Sequence, residues 1–308
     1  MKIRPLSPEL AEKARLELNE DPTRIEEDIQ HMKEWIAKQP HLRARTDDQW
    51  LLTFLRGCKY SLERTKEKFD LYYTMRTSAA DLFRLKHNEK RFMEVLELGC
   101  MIMLPKSQGT TSPAIMISRP GAYDPEKYDI TEIFAVNNVL QEIAFLENDT
   151  LVVAGGRAVI DLDGVNRGHL MQMSPTQMKK MIVLGQDATP LRMKGAHYIN
   201  TPAGFETVYN IVKGFLNEKN QNRLHVHNKN YEELYTHISR DILPVEYGGN
   251  GGTIKEVVDY WKNKVRDYSS WLEDGVNNGT DESKRPGKPK TAEMLFGVEG
   301  SFRQLQFD

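Results

Sequence analysis

The chain has 308 residues, with 42 Lys and Arg against 44 Asp and Glu and a formal net charge of −2. That length can bury a large core, and the near balance of charge excludes a global field that would draw the protein onto nucleic acid, so any anion site has to come from a local cluster. Cys58 and Cys100 lack metal-ligand or redox spacing, charges spread over the first twenty residues argue against a signal-peptide core, and no apolar run nears the ~20 residues that span a bilayer. A cytosolic, monomeric protein is the expectation, at membranes only transiently.

Residues 1–95 read as an all-α module with no strand-like alternation. Asp47 or Asp48 can cap a helix carrying Trp50, Leu51, Leu52, Phe54 and Leu55, with Gly57 as its stop. Ser61 can cap the next helix, whose buried stripe is Leu62, Phe69, Tyr72, Tyr73 and Met75. Near Gly99 the pattern changes. Met101–Leu104 and Ala114–Ser118 predict two strands around a Gly/Ser/Thr loop. Helices over 130–146, 175–186, 203–217 and 231–238 then alternate with strands over 157–163, 194–200 and 223–227, which implies an α/β fold on a mostly parallel sheet. After a break at Gly248–Gly252, one helix is expected over 254–271. Residues 275–290 predict a flexible or surface-laid segment, and Leu295, Phe296, Phe302, Leu305 and Phe307 a tip that docks somewhere. The expected units are 1–95, 96–274 and 275–308.

Two features of the central region point to a site. On a helical wheel of Ala203–Leu216, Phe205, Val208, Tyr209, Val212 and Leu216 form one stripe, which Ile211 and Phe215 widen. That stripe exceeds the ~100° of an ordinary surface helix. It suits either a helix wedged deep in the fold or a lid over an apolar cavity, with Pro202, Gly204 and Gly214 giving hinge freedom. Beside it, Arg192, Lys194, Lys219 and Arg223 converge if strands 194–200 and 223–227 are neighbours. Such a cluster is either a solvated face or a seat for a multi-phosphate headgroup.

The stretch "LLTFLRGCKYSLERTKEKF" resembles the N-terminal helical module of the CRAL-TRIO family, the cellular retinaldehyde-binding and Trio lipid-transfer proteins. "AVIDLDGV", "LRMKGAHYINTPAGFETVYNIVKGFLNEKNQNRLHVH" and "DILPVEYGGNGG" resemble its lipid-binding domain in order and spacing, over about residues 45–270, and the ending "GVEGSFRQLQFD" is similar to insect members. The resemblance implies a sheet-floored cavity for one small hydrophobic ligand, such as a tocopherol, retinoid or carotenoid, under a mobile helical lid. It places cavity residues at Phe134, Asn137, Gln141, Ile160, Met173, Met181, Leu184, Leu191, Met193, Phe205, Val208 and Ile211, and lid residues at Phe205, Val208, Ile211, Val212 and Phe215. In the family's tocopherol branch four basic residues bind a phosphatidylinositol bisphosphate headgroup, and these map onto Arg192, Lys194, Lys219 and Arg223. The implied function is carriage of that ligand, with the headgroup triggering exchange at membranes; the alternative within carriers is a phosphatidylinositol or phosphatidylcholine exchanger. One departure is Cys58, where the family often has a second Arg; Arg56 remains.

Other motifs compete. "VIDLDGV" offers Asp161 and Asp163 in the pattern of a Mg²⁺ phosphatase, with the first Asp as nucleophile. The motif sits mid-chain and no later carboxylate pair follows, so no catalytic residue is expected. His225 and His227 share one face of a strand, and His197 is a third candidate ligand by residue type only. Structural histidines are expected there, with no metal and no cofactor beyond the bound ligand. "LPVEYGG" reads as a structural turn tied to the core by Glu246 and Tyr247.

Overall fold

The computed structural model describes residues 3–297. The strands are β1 (Leu42–Arg43), β2 (Met101–Met103), β3 (Ala114–Ser118), β4 (Gly156–Asp161), β5 (Met193–Ile199), β6 (Leu224–Asn228) and β7 (Gly279–Thr280). Five of them form the central sheet in the order β2-β3-β4-β5-β6. The β2–β3 pair is antiparallel and the other three pairs are parallel. Alternation along the strands divides the sheet into two faces. Ala158, Ile160, Ala196, Tyr198 and Leu224 share one face, and Val159, His197, His225 and His227 the other.

The helix Ile130–Glu147 starts at a capping box in which Asp129 and Glu132 satisfy each other's backbone amides. It is buried along most of its length and joins the sheet to the N-terminal helices, where the Thr53 hydroxyl donates to the Phe145 carbonyl at 3.0 Å. Trp50, Phe54, Phe69, Tyr72 and Tyr73 form an aromatic core with ring centroids 4.9–5.8 Å apart. The Arg56 guanidinium is buried and pairs with Glu20 through contacts of 2.8 and 2.9 Å, while Tyr60 donates to the same carboxylate at 2.8 Å. Gly57 ends its helix where a side chain would meet the Pro190 carbonyl 2.5 Å away, so the N-terminal module and the loop before β5 touch backbone to backbone.

Several expectations change. The N-terminal region is not free of strand: β1 pairs with β7. Residues 279–290 are surface-laid rather than flexible, because Arg285 is buried against Asp70 at 2.8 Å and Glu282 at 2.5 Å. Ser61 stands at the N-cap position but makes no capping bond with its hydroxyl. The helix over 254–271 is two, Ile254–Asp267 and Ser269–Asp274, broken at Tyr268. The helix over 175–186 stops as α at Ile182 and continues as a π-turn over Val183–Ala188. Two short helices, Asp149–Ala154 and Arg167–Gln172, lacked a period long enough to read. Phe296 is buried and its helix docks on Pro175–Ile182, whereas Phe302, Leu305 and Phe307 lie outside the described residues. Glu246 and Tyr247 do tie their turn down: Glu246 accepts from the Ile254 amide at 3.0 Å and Tyr247 donates to Asp161 at 2.9 Å.

Candidate functional site

The floor face of the sheet, the helix Ile130–Glu147 and the π-turn enclose a cavity of about 360 Å³. Ala158, Ile160, Ala196 and Tyr198 supply the floor, Phe134, Leu140, Met181, Leu191 and Met193 the walls, and Val212 and Leu216 of the lid segment the roof. This volume lies in the range of pockets that hold drug-sized molecules. Methionines at 101, 103, 116, 181 and 193 line much of it, and their unbranched side chains can refit around different shapes. Asn137 and Gln141 stand one turn apart on the helix and face the cavity, and neither amide has a hydrogen-bond partner among the described residues. They can present donors and acceptors to a hydroxyl or carbonyl of a ligand. Burial pushes the Tyr198 phenol up to about 12, so it stays protonated.

Met173 and Leu184 do not line the cavity. Met173 sits at the break between two helices and packs on the main core. Leu184 is 2% exposed in that core, while Met181, Ile182, Gly185 and Gln186, spaced i, i+1, i+4 and i+5, take the cavity side. Met116, Gln186, Tyr198, Leu216 and Leu224 were missed. Tyr198 and Leu224 could have been found from strand alternation with Ile160; no sequence signal marks Gln186.

The lid helix Phe205–Phe215 has no buried residue. It is not wedged into the fold. Phe205 and Tyr209 stack on Tyr198 at centroid distances of 5.4 and 5.6 Å, and Val212 reaches the cavity. Phe205, Val208, Ile211 and Phe215 do not line it, and Ile211 and Phe215 are 45% and 39% exposed. The wide stripe therefore serves two directions: one edge roofs the cavity, and Ile211 and Phe215 face out. The helix starts at Gly204 in the left-handed region (φ 82°), with no side-chain cap. Its far end is held by Gln186, whose Oε1 accepts from the Asn217 amide at 3.1 Å and from Asn220 Nδ2 at 2.9 Å.

The four cations do converge. Burial first, and then neighbouring cations, lower the pKa of Lys194 and Lys219; Lys219 feels Arg223, Lys59, Arg192 and Arg64, and Lys194 feels Arg192, Lys13 and Arg223. Two of the four already hold protein groups. Arg192 Nη2 donates to the carbonyls of Val152 and Val153 at the end of the helix Asp149–Ala154, and Arg223 donates to the Met193 carbonyl. Arg192 Nε is buried without a partner. Lys194 lies 3.6 Å from Glu17, and Lys219 is exposed. Of the four, Arg223 also lines the cavity.

Asp161 is not poised for attack. Its carboxylate accepts from Tyr247 at 2.9 Å, Asn200 Nδ2 at 2.8 Å and the Asp163 amide at 3.0 Å, and it is buried at the end of β4. Among the described residues, no helix is long and apolar enough to cross a membrane.

Residues 101–249 match the CRAL/TRIO domain, and residues 21–90 match a family described as Pinta-like, UBA domain. The alpha-tocopherol transfer protein-like protein of Homo sapiens is 33% identical over 252 residues, covering 81% of this chain and 72% of the relative. Clavesin-2 of Rattus norvegicus is 30% identical over 246 residues, covering 79% and 75%. A solved structure, "Crystal structure of Sfh5", superposes on 83% of this chain and 92% of its own with a TM-score of 0.49 at 15% identity.

Proposed function

The chain belongs to the CRAL/TRIO family, and from that premise we propose that it carries one small lipophilic molecule and exchanges it at membranes that display inositol phosphates. The observation that carries the reading is the cavity: apolar walls, two unpartnered amides and a roof helix that buries none of its own residues. An apolar ligand gains ~25 cal/mol for each Å² it removes from water. Asn137 and Gln141 orient its polar end. The protein does no chemistry on it, in keeping with relatives named as transfer proteins and with an Asp161 already saturated by three donors.

Lys219 and Arg223, with Lys194 and the free edge of Arg192, receive the headgroup. Lys219 is free to swing, and Arg223 exchanges its carbonyl partner for a phosphate, which the guanidinium can hold bidentately as an ion pair. The ligand is a tocopherol, retinoid, carotenoid or similar molecule, and Ile211 and Phe215 meet the lipid when the lid opens. Native mass spectrometry with lipid extraction names the ligand; a diacyl phospholipid in the extract replaces this reading with the exchanger. Charge reversal in Lys194→Glu/Lys219→Glu, at two positions outside the cavity lining, is expected to leave ligand affinity in solution within about twofold. It is expected to abolish the acceleration of transfer by vesicles containing phosphatidylinositol bisphosphate. Equal acceleration in both proteins assigns the cluster to a solvated face.

A further inference from the structure

Half of the chain's eight histidines gather behind the cavity floor. His197 of β5 and His227 of β6 are 1% and 2% exposed, and His225 and His237 are half-buried beside them. The His197 and His227 rings lie within 7° of parallel, with Nδ1 of His197 2.9 Å from Nε2 of His227. One nitrogen of that pair carries a proton and the other a lone pair. His237 joins from the turn after the helix Tyr231–Tyr235, and one nitrogen from each of His197, His227 and His237 lies within 4.8 Å of the other two. His225 stacks on His197 at 4.8 Å and faces His237 at 5.0 Å.

From this geometry we propose that His197, His227 and His237 bind a divalent transition-metal ion of the Zn²⁺ type. Imidazole nitrogen is a preferred donor for Zn²⁺, and three histidines with a fourth position for water form a recognised donor set. Four-coordinate zinc with Zn–N of about 2.0–2.1 Å sets ligand nitrogens about 3.3–3.4 Å apart. The closest pair opens by a few tenths of an ångström. His237 closes the remaining gap, and its place in a half-buried turn leaves it room to move. The metal takes the position of the shared proton, which shifts to the remote nitrogen of the same imidazole, so the ring stays neutral and no further reactant is needed.

A second observation supports the site. His227 Nδ1 is buried and makes no hydrogen bond, although a carboxylate oxygen of Glu233 stands 3.3 Å away. A metal-bound histidine commonly offers its other N–H to a carboxylate, which fixes the ring. Small rotations that bring His227 onto the metal also align this pair. Burial, then His225, His227, His237 and Arg157, push His197 down to about 3, which keeps that ring uncharged. Arg157, which donates to the His237 carbonyl at 2.5 Å, opposes a cation here, and Glu233 offsets it. The ion would pin the edge strand β6 to β5 and to the 231–237 segment, behind the cavity wall.

The test uses the full chain after chelator treatment, titrated with Co²⁺ and then Zn²⁺. One equivalent of Co²⁺ is expected to give the visible absorption of a four-coordinate ion, and Zn²⁺ to displace it and raise the unfolding midpoint by several degrees. His237→Ala is expected to weaken binding at least tenfold with the far-ultraviolet spectrum and Nile red binding unchanged. His31→Ala, at an exposed position away from the cluster, is the control. His197→Gln gives a second variant that can still hydrogen-bond. No cobalt spectrum, or equal affinity in wild type and His237→Ala, overturns the proposal and leaves a stack of neutral structural histidines.

Discussion

If the lid gates ligand release, cutting its tether at Gln186 has a calculable effect. Gln186 Oε1 holds two donors of the segment that follows the lid helix, the Asn217 amide and Asn220 Nδ2. Each bond is worth ~0.5–1.5 kcal/mol net, and water can replace part of that at a half-exposed position, so losing both costs the closed lid ~1–2 kcal/mol. At ~1.4 kcal/mol per factor of ten in rate, Gln186→Leu should release ligand roughly 5- to 30-fold faster. Asn220→Ala removes one bond and should give roughly a two- to fivefold effect. Gln186→Glu keeps an oxygen acceptor of the same reach and should stay near wild type. Stopped-flow transfer of Nile red to phosphatidylcholine vesicles measures all three, and global stability should move little because only the lid is freed. Equal release from the Leu and Glu variants would refute the tether.

Filling the floor with Ala196→Trp should lower Nile red occupancy severalfold while the fold survives, since the cavity absorbs the added volume; an unchanged stoichiometry would show that the ligand sits elsewhere. Asp161→Asn should destabilise by ~1–3 kcal/mol in urea melts, because an amide cannot accept from all three donors, and neither protein should hydrolyse p-nitrophenyl phosphate with Mg²⁺. Acid should unfold the chain early. His197 titrates at about 3 in the folded state against 6.5 for the free group, so the unfolded chain binds the extra proton. Its contribution is intact above 6.5 and falls by about 1.4 kcal/mol per pH unit as the pH drops toward 3; His197→Gln should flatten that slope in urea melts run between pH 7 and 4.

The fold was legible where a period ran long enough. The alternation of helices and strands after Gly99 implies a mostly parallel sheet, and the two strands read around the Gly/Ser/Thr loop form its antiparallel edge. Convergence of Arg192, Lys194, Lys219 and Arg223 followed from two strands being neighbours, which the register of β5 on β6 provides. Leu184 was misplaced because an apolar residue three positions from Met181 suits either edge of the helix's apolar stripe, and the edge that faces the cavity carries Gly185 and Gln186 instead. The lid's outer edge was misread for a related reason: a stripe wider than half a helix cannot all face one cavity, and the sequence does not say which edge turns out. The histidine cluster needed His237, which the sequence puts in a helix over 231–238 and the structure puts in the turn after a helix that ends at Tyr235.

The short helix Glu218–Gln221 joins these parts. It carries Asn220, which Gln186 holds, and Lys219, which is exposed and crowded by Arg223, Lys59 and Arg192; Arg223 follows one turn later and reaches the cavity wall. Sensor and tether thus lie within the seven residues 217–223. A phosphate drawn onto Lys219 and Arg223 relieves their mutual repulsion and pulls on the segment that the Gln186 bonds restrain. It can open the lid only to the extent that it prefers the open arrangement, a tenfold preference being ~1.4 kcal/mol. If the headgroup's preference for the open arrangement consists in displacing those bonds, a lid that already lacks them leaves nothing to displace, and the two effects must not add. In a double-mutant cycle, Gln186→Leu should already release ligand fast, and phosphatidylinositol bisphosphate in the vesicles should accelerate it far less than it accelerates wild type. Full additivity, with the lipid speeding both proteins by the same factor, would mean that the headgroup opens the lid by a route that leaves Gln186 untouched.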